Sequence, residues 1–386
     1  MKRAKTTLLA ALAVCLPALA HADQGITDTE VTFAQVAALE GPAAALGQGM
    51  RLGMMAAFQE ANAAGGVHGR MINLDSMDDG YEPDRSVQHV QDVISGNNHI
   101  GLIGAVGTPT SAATQPVATA ANMPFIGPFT GAGFLRKAEH GNVFNVRATY
   151  FAETEAWIKH LVDEQGMKNI ALLYQDDGFG RVGLAGVTAA LERRGMTLTA
   201  EGTYTRNTVA VKKALISIRK AKPDAVVMVG AYKPVAEFIR LSRKMKFNPT
   251  FVNISFVGSD ALAKELGPDG EGVIISQVVP FPWDGSRAVV AQYHKALKAA
   301  DPEATPGFVT LEGYLTGRLA IKALEAAGQD LTRESFMTAL AGLRSIDFGG
   351  VQMEFGPGDN QGMDDVFLTR ITKDGGFAPI ASADAS

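Results

Sequence analysis

The chain has almost no cysteine. Its one copy, Cys15, stands in the first 22 residues. Those residues carry a basic start (Lys2, Arg3, Lys5), a short apolar run from Thr6 to Leu19, and Ala20-His21-Ala22. That is the layout of an export signal with a small-x-small cleavage site, which places the mature start near Asp23. Val14 before Cys15 fits a lipid-anchor motif poorly. The mature chain then has no thiol, which excludes disulfides, cysteine nucleophiles and thiolate metal sites. No later stretch reaches the ~20 consecutive apolar residues of a membrane span. An exported, cysteine-free chain points to the periplasm.

Catalytic signatures are also scarce. The seven histidines never fall at HExxH spacing, and there is no GxSxG elbow or phosphate-binding lysine loop. Gly101, Gly104 and Gly107 do not complete a dinucleotide fingerprint, and their run ends in Pro109. Ser217-Ile218-Arg219-Lys220 spells SxxK but lies on an amphipathic helix whose apolar face is Val209, Ala210, Leu215 and Ile218, so its Ser and Lys read as surface. Asp78-Asp79 and Asp176-Asp177 follow strands, where acids usually cap and turn. No cofactor and no metal are expected. Formal charge is −5, and loss of the three signal cations makes it −8. With no block of Lys and Arg, nucleic acid and anionic membrane are poor partners on net charge.

What the chain does contain is regular alternation. Val31–Ala37 reads as a strand, and Ala43–Ala64 as a helix with Leu46, Met50, Met54, Phe58 and Ala61 on one face, closed by Gly65-Gly66. Strands follow at 71–76, 100–105, 124–126, 143–147, 170–174, 198–202, 225–229, 251–254 and 272–279. Helices fall at 83–94, near 111–122, at 153–165, near 181–194, at 208–221, 233–245, 287–300, 308–328 and 332–342, before two last strands at 351–355 and 366–371. Short apolar strands alternating with helices of ~12–15 residues indicate α/β architecture with parallel sheets covered on both faces. About 360 mature residues suit two lobes. Ligands in such sheets sit outside the carboxyl ends of strands.

One stretch there, GAVGTPTSAATQPVATAANMPFIGP (104–128), offers Thr108, Thr110 and Ser111 where a helix should start near Ser111 or Thr114, with Pro116 early in it. Free N–H groups at such a start suit a carboxylate, although Ser111 could instead be only the cap. The next loop, Gly127 to Gly131, adds Thr130.

Several segments, taken together, resemble the type I periplasmic binding proteins of branched-chain amino acid (Leu/Ile/Val) ABC importers. They are Leu39-Glu40-Gly41-Pro42; Asn62 to Arg70; Asp78 to Pro83; Ser111 to Pro116; Tyr174 to Asp177 with Phe179-Gly180; and Glu312-Gly313-Tyr314. They keep the family's order over nearly the whole mature chain. The resemblance implies a two-lobed clamshell with three crossovers. Lobe 1 would take 24–148 and 278–345, lobe 2 149–277 and 346–380, with 381–386 a tail. It implies hinge closure over a small solute and delivery to an inner-membrane permease, by a monomer.

The resemblance also assigns positions. Ser111 matches the hydroxyl for the ligand carboxylate, Phe129 and Thr130 the loop around its polar head, Leu46 a cleft-lining side chain. Phe179 and Tyr232 match the aromatics that close over it. The departure comes after the 251–254 strand. Amino-acid binders place an acid there for the α-ammonium, and this chain has Ser255-Phe256. A buried ammonium without an anion is costly. Either another acid substitutes, Glu40 first and Asp177 second, or the ligand is a carboxylate without an ammonium. A sensor subunit for a membrane kinase or chemoreceptor is the alternative role; an enzyme would need an acid–base or nucleophile–base pair that the cleft positions do not supply.

Overall fold

The computed structural model describes residues 24–381. The export-signal reading, residues 1–22, therefore lies outside the described residues. Fourteen strands are described: β1 Glu30–Ala37, β2 Met71–Asp78, β3 Leu102–Ile103, β4 Phe125–Ile126, β5 Val143–Phe144, β6 Ile170–Gln175, β7 Ala200–Tyr204, β8 Ala225–Val229, β9 Thr250–Asn253, β10 Ile274–Gln277, β11 Ser345–Asp347, β12 Gln352–Glu354, β13 Phe367–Ile371 and β14 Phe377–Pro379. The helices are α1 Ala44–Ala63, α2 Pro83–Gly96, α3 Thr108–Ala120, α4 Tyr150–Ile158, α5 Gly178–Glu192, α6 Lys212–Lys220, α7 Tyr232–Lys244, α8 Ser259–Leu266, α9 Ala288–Ala300, α10 Phe308–Ala327 and α11 Arg333–Gly342.

Twelve of these strands form two sheets, and β11 and β12 pair antiparallel by themselves. One has the order β2-β1-β3-β4-β5, parallel throughout. The other has the order β14-β13-β10-β9-β8-β6-β7, parallel from β10 to β7 and antiparallel at β13 and β14. The central strands β6 (IALLYQ) and β8 (AVVMV) are buried at every position, as helices on both faces require. The chain passes between the two halves three times: after β5, after β10 and before β13. The first and third passes are joined. Asn145 N–H donates to Asn360 O at 2.8 Å, and Gly362 N–H donates to Asn145 O at 2.8 Å.

Helix α10 crosses α1 at backbone distance. A Cβ on Gly53 would lie 2.0 Å from Thr310 O, and one on Gly313 2.4 Å from Met50 O. Only glycine permits that approach.

Some boundaries differ from the sequence expectation. Helix α3 begins at Thr108, because Gly107 at φ +104° makes the turn and Pro109 fills the first turn; Pro116 is mid-helix. Helix α4 begins three residues earlier than expected, capped by the Thr149 hydroxyl accepting from Ala152 N–H, and runs on into a π-turn at Lys159–Glu164. Helix α6 is shorter than 208–221, since Thr208 and its neighbours fold back on Thr205. Helix α8, too short to show a period, was not foreseen. Among the described residues no helix is long and apolar enough to cross a membrane.

Candidate functional site

Six loops at the carboxyl ends of strands meet between the two sheets. The loop after β3 becomes the start of α3. There Thr110 Oγ1 donates back to Gly107 O (3.0 Å), and the Thr108 and Thr130 hydroxyls share a 2.7 Å hydrogen bond. That bond ties the α3 terminus to the loop after β4, which also pairs through Phe129 N–H to Ala105 O at 2.7 Å. Ser111 is not the helix cap. Its side chain is fully buried one turn in, and its Oγ has no hydrogen-bond partner. Buried hydroxyls are normally paired, which makes the Ser111 hydroxyl a candidate ligand contact.

Rings close over that terminus. Phe256 lies 4.6 Å from Phe179, 5.4 Å from Phe129 and 5.9 Å from Tyr81, centroid to centroid. Tyr150 adds a ring 5.5 Å from Phe179. Phe129 and Tyr81 belong to loops of the first sheet, Phe179 and Phe256 to loops of the second. The ring cluster therefore spans the junction, and all of it is buried.

Beneath Phe129 is an array of buried charges. Arg147 meets Glu312 as a bidentate pair at 2.8 and 2.9 Å, with its guanidinium 4.2 Å over the Phe129 ring. Its Nη1 has no protein partner and borders a cavity of about 10 Å³, room for one water. Arg136 donates to the carbonyls of Thr130, Ala132 and Arg147, fixing the loop. Glu153, from α4, is wholly buried and accepts from Ser255 N–H (2.8 Å), Ser255 Oγ (2.9 Å) and Ser276 Oγ (2.5 Å). Burial pushes its carboxyl up, against the pull of Arg147 and these donors. Ser255, which stands after β9 where the resemblance predicts an acid, thus engages a buried acid supplied by α4.

Of the two substitute acids named from the sequence, Asp177 alone has its carboxylate held by protein partners. Glu40 is exposed, and its backbone N–H serves Asp78 (2.9 Å). Asp177 caps α5 through Phe179 N–H (2.9 Å), accepts from Gln175 Nε2 (2.7 Å) and pairs with Arg206 Nη1 (3.1 Å). Arg206 reaches across to Glu82 at 2.7 Å, so that Glu82, Arg206 and Asp177 tie the two halves at one rim.

Residues 30–376 match the periplasmic binding protein family. The chain belongs to that family. It is 26% identical over 348 residues to the Leu/Ile/Val-binding protein BraC3 of Rhizobium johnstonii, covering 88% of this chain and 89% of that one. Among solved structures it is similar to a possible leucine/isoleucine/valine-binding protein from Rhodopirellula baltica, with TM-score 0.87 and 36% identity over 92% of this chain and 97% of the other. A fatty acid ABC transporter substrate-binding protein from Thermomonospora curvata shares the fold at TM-score 0.84, with 21% identity over 93% of each chain. This chain is a solute-binding protein of the branched-chain amino acid ABC transporter group.

The two remaining cleft positions of this binding protein, Leu46 and Tyr232, lie apart from the buried rings. They line an outer groove of about 610 Å³ between α1, α7, α8 and the start of α10. Tyr232 OH accepts from Ala45 N–H at 3.4 Å. Across the groove, Asp260 of α8 accepts from Phe308 N–H at the α10 terminus, and a Cβ on Gly307 would meet its Oδ2 at 2.4 Å. Asp260 is exposed to the groove, yet the protein around it removes enough water to push its carboxyl up to about 6. Among the described residues no cluster of side chains could hold a metal.

Sequence reasoning missed Glu153, Arg147, Tyr81 and Tyr150. Glu153 carries no local motif; it shares the buried face of α4 with Tyr150, Trp157 and Ile158, and Glu155 lies on the same helix.

Proposed function

We propose that this protein captures a small carboxylate that has an apolar body and no α-ammonium, and hands it to an inner-membrane permease. The observation that carries this is the contrast between Ser111 and Glu153. Ser111 offers an unpaired hydroxyl at a helix start, where N–H groups and dipole favour an anion. Glu153, the buried acid that touches Ser255, already takes three of roughly four available hydrogen bonds. Arg136 and Arg147 balance Glu153 and Glu312 without a ligand, so an added ammonium would have no partner among these buried acids. Phe129, Phe179 and Phe256 supply an apolar wall for the ligand body.

In this reading the lobes are 24–148 with 278–345 and 149–277 with 346–380, and the chain is cleaved near Ala22–Asp23 and acts as a monomer. The reading is one of binding without catalysis, since the buried acids are held by hydroxyls and arginines rather than facing a nucleophile.

A thermal-shift screen of the mature protein tests it, with leucine, isoleucine and valine set against their deaminated carboxylate analogues and aromatic carboxylates. A ligand at ~100 times its Kd stabilises by about 2.7 kcal/mol. Carboxylates lacking the amine should stabilise the protein. Stabilisation by the amino acids alone would overturn the reading.

A further inference from the structure

A second feature lies at the far end of the lobe built on the larger sheet. Residues 206–249 contain eleven Lys or Arg against two acids, Asp224 and Glu237, in a chain whose net charge is −5. Net charge conceals this local excess. Four of the eleven are used elsewhere: Arg206 and Arg240 in ion pairs, Arg243 on the carbonyls of Asp269 and Glu271, and Lys233 beside Tyr232 in the outer groove. The other seven, Lys212, Lys213, Arg219, Lys220, Lys222, Lys244 and Lys246, are exposed.

Arg219, Lys220, Lys222 and Lys246 surround a groove of about 620 Å³ between the ends of α6 and α7. Asp224, its lone acid, is spent on Lys168 N–H and Asn169 N–H, both at 2.9 Å. Cations at helix ends offset the dipole, which accounts for one or two per helix. It does not account for Lys212 and Lys213 at the opposite end of α6, where cations oppose the dipole. Nor does it account for the apolar surface among them. Ile216 is 40% exposed at the centre of the outward face of α6, with Lys213 three residues before it and Arg219 and Lys220 three and four after. Met245 and Phe247 line the same groove.

We infer that this face docks on a bilayer surface bearing anionic phospholipid. Uncompensated cations meet the phosphates, and Ile216 enters the headgroup boundary, the arrangement of interfacial basic helices. An acidic protein partner would use the charges but would leave a lone exposed isoleucine among them without a role. The groove precedes β8 and β9, at the amino ends of strands whose carboxyl ends form the solute cleft, so docking leaves the cleft free.

Vesicle co-sedimentation of the mature protein tests this. Vesicles with about 30% phosphatidylglycerol should pull it down and pure phosphatidylcholine should not, with binding lost steeply as salt rises past about 0.2 M. Lys213→Glu/Arg219→Glu/Lys220→Glu should bind more than tenfold less, with an unchanged melting temperature. Ile216→Ser, which keeps the charge, should bind several-fold less. Equal sedimentation with both vesicle types, wild-type binding by the charge-reversed protein, or preference for polyglutamate over vesicles would each overturn the inference.

Discussion

Ser111 and Arg147 each leave a buried polar atom unused, and the consequences differ. The Ser111 hydroxyl supports nothing else in the protein, so Ser111→Ala should leave the melting temperature nearly unchanged. It should weaken carboxylate binding roughly ten- to a hundredfold, the worth of a hydrogen bond to a charged group, as titration calorimetry would read. Arg147 holds Glu312, stacks on Phe129 and sits among buried charges. Arg147→Met should cost about 3–5 kcal/mol in urea unfolding, because Glu312 is stranded. Adding Glu312→Leu should recover much of that loss; a double variant no better than the single would mean the pair is not the source. Residue-scale legibility was uneven. Phe129, Phe179 and Phe256 were named from strand-end loops and the family resemblance, and the structure brings their rings together. Glu153 was not: its partners are 102 and 123 residues away in sequence, and nothing local marks a helical glutamate as buried.

At the scale of elements, α8 and α10 meet through Asp260 at a helix start. Desolvation raises that carboxyl from 3.8 to about 6, so the folded form holds a proton more readily than the unfolded one. This contribution favours the folded state below about pH 4 and is lost as pH rises through 6. Asp260→Asn should therefore flatten the fall in melting temperature between about pH 4 and 6 relative to wild type; parallel curves would show that Asp260 stays ionised throughout. Most elements were legible from period alone, since β6 and β8 are continuous apolar runs and α1 shows one clear face. The exceptions have local causes. Gly107 started α3 early by adopting a backbone few other residues reach, Thr149 did the same for α4 by capping, and α8 spans too few turns to show a face.

For the whole molecule, ties cross both cleft rims: Glu82 with Arg206 and Asp177 on one side, Tyr232 with Ala45 and Asp260 with Phe308 on the other. A solute adds to this closed arrangement only through contacts better made there than in an open one. X-ray scattering should show compaction when a stabilising carboxylate is added, and an identical profile at saturation would count against hinge closure. Arg206→Gln should lower affinity by about two- to fivefold, the scale of a partly exposed ion pair. Two lobes were legible in the sequence from length and element order. Which loops would touch was not, because the meeting of Phe256 with Phe129 depends on how the sheets face each other.

The joined passes at Asn145 and Gln361 make two of the three connections between the lobes a ribbon rather than separate threads. A ribbon bends readily across its width and resists twisting about its length. Opening is then soft along one angle and stiff along the others, so the two halves of the solute site return to the same register each time they close.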